Sequence, residues 1–170
     1  MPGRAMLHLI NRTLGEFGRD VSCRNLPHLS SECKVLADRR VVMVDDTAVV
    51  LQAYIPSLTV ATLGQAKFVL HDAQRLDDLA RQVLEHKPYA VLLDGQLAQD
   101  ATGTDLARCL RHMRFRGHLV GFSTNPDAFK DQESQCLVDA SVVKEFAKPE
   151  AVVGALALCL RVLEMRRRTN

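Results

Sequence analysis

The chain of 170 residues is long enough to bury a core of ordinary size and suits one domain with an appendage. It is 47% hydrophobic and 25% charged with a formal net charge of +2, so the chain as a whole offers no electrostatic footprint for nucleic acid. The five cysteines include no Cys-x-x-Cys spacing, which indicates neither a disulfide framework nor a zinc site and favours a reducing compartment.

Met6 to Ile10 is too short an apolar run for a signal peptide, and Ala151 to Leu160 is too short to span a membrane. A cytoplasmic protein with no membrane partner is expected. Residues 1–38 read as an N-terminal extension. Met6, Leu7, Ile10, Leu14 and Phe17 keep a helical spacing, which predicts an amphipathic helix over Arg4 to Phe17 with Gly18 as its stop. Asp20 to Lys34 reads as linker or loop. The helix either packs on the domain or serves as a partner-binding or dimerising appendage.

Residues 39–166 form the domain, and 167–170 a basic tail. A first strand, Arg40 to Val44, runs into Asp45-Asp46, and Thr47 is placed to cap a helix that Pro56 breaks early or kinks. A second strand is Lys67 to Leu70, followed by a helix from Asp72 to near His86. The third strand, Tyr89 to Leu93, ends on Asp94, and its helix is Thr104 to Met113. The fourth, His118 to Phe122, ends on Ser123-Thr124. Asn125 and Pro126 then open a helix running to about Leu137. The fifth strand is Ser141 to Phe146, ending on Lys148-Pro149, before a very apolar helix from Glu150 to about Arg166. The excess apolar width of that helix suggests a face shared with the N-terminal segment or with a second copy.

Strands alternating with helices indicate an α/β fold with a doubly wound parallel sheet and helices on both faces. With the strand order 2-1-3-4-5, strands one and three are neighbours at the switch point, outside whose carboxyl ends ligands bind. Asp45, Asp46 and Asp94 then meet, with Ser123 and Lys148 alongside. Three close carboxylates repel, and a hard divalent cation such as Mg²⁺ relieves this while leaving room for a phosphoryl oxygen. Asp94 stands alone at its strand end, as suits a nucleophilic carboxylate that forms an aspartyl phosphate. Ser123 can hydrogen-bond a phosphoryl oxygen. Lys148 can pair with Asp94 before transfer and with the phosphoryl group after it.

This set resembles the response-regulator receiver domain of two-component signalling (CheY-like), over roughly residues 39–166. The matching residues are Asp45-Asp46, Asp94, Ser123 and Lys148-Pro149 after successive strands, with Gly103 where the family often has a glycine before its third helix. The resemblance implies a flavodoxin-like sheet with Asp94 as phosphoacceptor. Mg²⁺ would lie on Asp45, Asp46, Asp94 and the backbone carbonyl of Gln96, with Ser123 as the switch hydroxyl and Lys148 as the family's lysine. The chain departs from the family at Ala98, where proline is usual, at Glu145, where an aromatic is common, and at Thr124, bulkier than the usual alanine or glycine. Leu58 to Ala66 is also a long connection.

The implied function is a phosphorelay switch rather than an enzyme with an external substrate, catalysing only its own phosphotransfer and dephosphorylation. Its partners would be a sensor histidine kinase or histidine phosphotransfer protein, and a downstream protein target or a second copy in a homodimer. No output domain is expected after the last helix, so output would pass through protein contact. A phosphatase of the haloacid-dehalogenase kind needs a second aspartate two residues after its nucleophile, where this chain has Gln96 or Thr47. The alternative kept open is a receiver-like docking or dimerisation module that is not phosphorylated.

Overall fold

The computed structural model describes residues 31–125, 127–134 and 136–169. The expected N-terminal helix, most of the linker before it joins the domain, and Pro126 lie outside the described residues. A 3₁₀ turn, Ser31–Leu36, leads into β1 (Val41–Asp45), α1 (Ala48–Ala61), β2 (Lys67–Leu70), α2 (Leu76–Glu85), β3 (Ala90–Asp94) and α3 (Gly103–His112). Then come β4 (His118–Ser123), α4 (Lys130–Ser134), β5 (Ala140–Val143) and α5 (Pro149–Thr169).

The strands are all parallel, in the order β2-β1-β3-β4-β5. β1 and β3 are buried along their whole length, as expected of apolar runs covered on both faces. Side chains alternate across the sheet. Val41 and Met43 face a cluster that includes Leu51, Tyr54 and Leu58 of α1 and Val153, Leu156 and Leu160 of α5. Val42 and Val44 face the opposite cluster, with Leu79 and Val83 of α2, Leu106 and Leu110 of α3, and Phe129. Leu36, placed by the sequence reading in the N-terminal extension, is fully buried in the first cluster, so part of the apolar face of α5 is covered from there.

Four elements differ from expectation, each for a local reason. Helix α1 continues through Pro56 to Ala61. Proline leaves the Gln52 carbonyl without its helical donor, but Gln52 and Pro56 both face solvent, where water can take that carbonyl, while Leu58 and Ala61 are buried beyond it. Much of the long connection before β2 is therefore helix. α2 begins at Leu76 rather than Asp72, because the Gln74 side chain accepts from the Asp72 N–H and donates to the Leu70 carbonyl, closing a turn first. α4 is short; Asn125 Oδ1 accepts from the Asp127 N–H and forms a local turn instead of capping a helix. β5 ends at Val143, five residues before Lys148, and Pro149 opens α5 as its first residue.

Candidate functional site

The site lies at the carboxyl ends of β1, β3 and β5. Asp45 is the last residue of β1 and has no solvent exposure. One of its oxygens accepts from the Thr47 N–H at 2.9 Å, which turns the chain from β1 into α1. Thr47 sits at the cap position, but its hydroxyl donates to Asp46 at 3.0 Å rather than capping the helix. Asp94 ends β3 and is also buried. Carboxylate oxygens of Asp45, Asp46 and Asp94 lie within 4.8 Å of one another. The structure thus brings together the three aspartates expected from the sequence.

The cation that meets them is Lys144. Its Nζ donates to Asp45 and to Asp94, both at 2.8 Å, and its side chain is only 7% exposed. Lys148, expected in this role, is exposed at the threshold of α5. The expectation took the Lys-Pro pair as the end of the strand. The strand ends five residues before Lys148, on Val142-Val143, and the apolar-to-lysine boundary there was the available signal. With Lys144 as the paired lysine, the residue three positions before it is Ser141, so Glu145 does not stand where the aromatic was sought. Ser141 is not aromatic either, and its hydroxyl donates to the Glu133 carboxylate of α4.

Electrostatics follow from burial. Desolvation pushes the Asp45 carboxyl up to about 6, with the nearby Asp94 charge adding and Lys144 opposing. Asp94 is raised for the same first reason, with Lys144 pulling it down and Asp46 pushing it up. Burial alone would lower Lys144, but its hydrogen bonds to Asp45 and Asp94 outweigh that and raise it, so it stays an ammonium. That ammonium also sits 4.9 Å from the centre of the Phe122 ring, a cation–π contact. Three ionised carboxylates against one ammonium leave two negative charges in excess, and hard oxygen donors carrying that charge fit a divalent cation such as Mg²⁺.

The loop after Asp94 is fixed at several points. Its Gly95 N–H donates to the Phe122 carbonyl, and the Gly103 N–H donates to the Gly95 carbonyl. A Cβ on Gly103 would fall 2.1 Å from the Asp94 carbonyl oxygen, so the start of α3 approaches β3 closely enough to require glycine. Gly95 leaves similar room for Ser123, whose Oγ would lie 3.0 Å from a Cβ there. Ser123 ends β4, beside that loop. Gln96 bridges to Thr102, and an open cavity of about 500 Å³ is lined by both, with Gly95, Ser123, Thr124 and Asn125. Ala98, at the place where proline is usual, uses its N–H: it donates to Nδ1 of the buried His71, whose Nε2–H donates to the Gln74 carbonyl.

A five-stranded parallel sheet in this order, with acidic β1 and β3 ends facing a lysine after β5, is the receiver fold of response regulators. Solved structures agree. The chain matches the Thermotoga maritima response regulator TrrA, described in complex with Mg²⁺ and a beryllium fluoride, at 17% identity and a TM-score of 0.53, over 71% of this chain and 98% of that one. The receiver domain of the Arabidopsis thaliana histidine kinase CKI1, complexed with Mg²⁺ and BeF₃⁻, matches at 16% identity and a TM-score of 0.53, over 72% of this chain and 92% of that one. The response regulator PhyR from Brucella abortus matches at 19% identity and a TM-score of 0.59, over 85% of this chain but 56% of that one. No protein-family model and no curated protein sequence matches the chain. Among the described residues, no helix is long and apolar enough to cross a membrane.

Proposed function

We propose that the chain is a phosphoacceptor switch of two-component signalling, phosphorylated on Asp94. The observation that carries this reading is Lys144 Nζ, held at 2.8 Å from the buried carboxylates of both Asp94 and Asp45, with the more exposed Asp46 completing the acidic cluster. An oxygen of the Asp94 carboxylate attacks the phosphorus of a phosphohistidine or a small acyl phosphate. The bond from phosphorus to the donor breaks, the donor leaves with its electron pair, and an aspartyl phosphate forms. Lys144 moves its hydrogen bond from the Asp94 carboxylate to a phosphoryl oxygen, and the Ser123 hydroxyl donates to another. Asp45, Asp46, Asp94 and the Gln96 carbonyl would hold Mg²⁺, which neutralises charge on the transferring group. On this reading the chain catalyses its own phosphotransfer and the later hydrolysis of the aspartyl phosphate by water, which releases inorganic phosphate and restores the Asp94 carboxylate.

The phosphodonor is a sensor histidine kinase or a histidine phosphotransfer protein, and the reader is another protein or a second copy. Val143, Phe146 and Leu158, each about half exposed on β5, the loop after it and α5, support output by protein contact. Fluorine NMR of the protein with Mg²⁺ and beryllofluoride tests the site. Wild type and Lys148→Ala should give bound fluoride signals, while Asp94→Asn and Lys144→Met should give none. Binding that survives Asp94→Asn, or that needs Lys148 and not Lys144, would contradict the assignment.

A further inference from the structure

Tyr54 lies in the middle of α1 and is 2% exposed. A buried phenol needs a partner for its hydroxyl, and this one has two on the same distant residue. Tyr54 Oη donates to the Glu145 carbonyl at 2.5 Å and accepts from the Glu145 N–H at 3.1 Å. One side chain thus satisfies both backbone polar groups of the residue that follows Lys144. The Lys144 N–H itself donates to the Ser123 carbonyl at 2.8 Å. The lysine backbone is therefore fixed on one side by β4 and on the other by α1, just where the sheet ladder ends.

The ring supports the same lysine by a second route. It meets Phe122 edge-on, with centroids 5.0 Å apart and planes at 88°, and Phe122 presents its ring to Lys144 Nζ. Beyond Glu145 the chain is exposed at Phe146, Ala147 and Lys148 before α5 begins, and the Ala147 N–H donates back to the Glu145 carboxylate at 3.2 Å, so Glu145 is the point from which the loop hangs. A proline at position 145 could not make the bond to Tyr54, because it has no N–H.

We infer that Tyr54 is a positioning residue for Lys144, holding the β5–α5 loop so that the ammonium meets Asp94 and the phosphoryl group it receives. The inference rests on the phosphoacceptor reading. A lysine head on a flexible stem reaches a fixed point only when its backbone is fixed. Tyr54 makes no hydrogen bond to Asp45, Asp46 or Asp94 among the described contacts, so its hydroxyl acts on the lysine and not on the acidic ligands.

The test is Tyr54→Phe, which keeps the ring against Phe122 and removes only the hydroxyl. The rate of phosphorylation by acetyl phosphate in Mg²⁺ should fall about tenfold or more, as expected when a reacting group is slightly misplaced. Mg²⁺ affinity, read by a titration without phosphodonor, should stay within about twofold, because the carboxylates keep their places. A purely structural role would lower the melting temperature and leave the rate unchanged, and that result would overturn the inference. A parallel loss of Mg²⁺ affinity would overturn it too, since it would place the effect on the whole site. Hydrogen exchange on the wild type covers the case in which the variant does not fold. The Glu145 amide should exchange slowly, and exchange at the rate of open chain would overturn the inference. A wild type that takes no phosphoryl group would overturn the acceptor reading and the inference together; equal rates in wild type and variant would overturn the inference alone.

Discussion

Asp45 shows what the site costs the fold when no cation is bound. Its carboxyl is pushed up to about 6 from an ordinary 3.8, first by burial and then by the charge of Asp94. The native state therefore holds a proton on Asp45 more tightly than the unfolded chain does. That contribution to stability is fully present below pH 3.8 and is lost as pH rises through about 6. At neutral pH the ionised group is a net liability. Asp45→Asn should therefore raise the stability of the metal-free protein at pH 7 by about 1–3 kcal/mol, with the gain shrinking between pH 6 and pH 4. Urea unfolding in chelator across that range checks both sign and window. The same variant should weaken Mg²⁺ binding, so excess Mg²⁺ should stabilise the wild type more than the variant.

At the scale of elements, the site depends on close approaches that the backbone alone explains. The N-terminus of α3 passes so near the end of β3 that no side chain fits at Gly103. Thr102 and Asp105 close a reciprocal capping box there, which fixes where the helix starts. Gly103→Ala should force the Asp94 carbonyl and α3 apart. It should cost about 2 kcal/mol or more of stability by overpacking, with a matching loss of Mg²⁺ affinity, since both flank Asp94. Thermal unfolding and a Mg²⁺ titration on the same sample read the two effects. An alanine variant with unchanged stability would contradict the contact.

Strands were legible because β1, β3 and β4 are short apolar runs that end abruptly on polar residues. The end of β5 was not, because Lys148-Pro149 looks like a strand terminus while Lys144 sits inside a run of mixed polarity. Nor was the full length of α1. A proline inside a helix reads as a stop unless it is known that its orphaned carbonyl faces water. Tyr54 and His71 carried no signal at all in one dimension. Each acts through a backbone N–H on a loop far along the chain, at Glu145 and Ala98, and only the packed fold brings them there.

For the whole molecule, the doubly wound arrangement decides which charges meet. Because β1 and β3 are neighbours, Asp45 and Asp94, 49 residues apart in sequence, share one buried pocket, and β5 at the edge still reaches them through the length of a lysine stem. The two apolar clusters, one under α1 and α5 and the other under α2 and α3, hold the strand ends in register while the polar groups stay at the carboxyl end of the sheet. On the phosphoacceptor reading, that separation of an apolar frame from a charged rim would let a single added phosphoryl group rearrange the rim without unfolding the frame.

The most direct measurement is the site of phosphorylation. The wild-type protein would be incubated with Mg²⁺ and acetyl phosphate, the product trapped by borohydride reduction, and the modified residue located by peptide mass spectrometry. The account predicts a single adduct, found as homoserine at position 94 and absent from Asp94→Asn. No adduct in the wild type, or an adduct at Asp45 or Asp46, would contradict it.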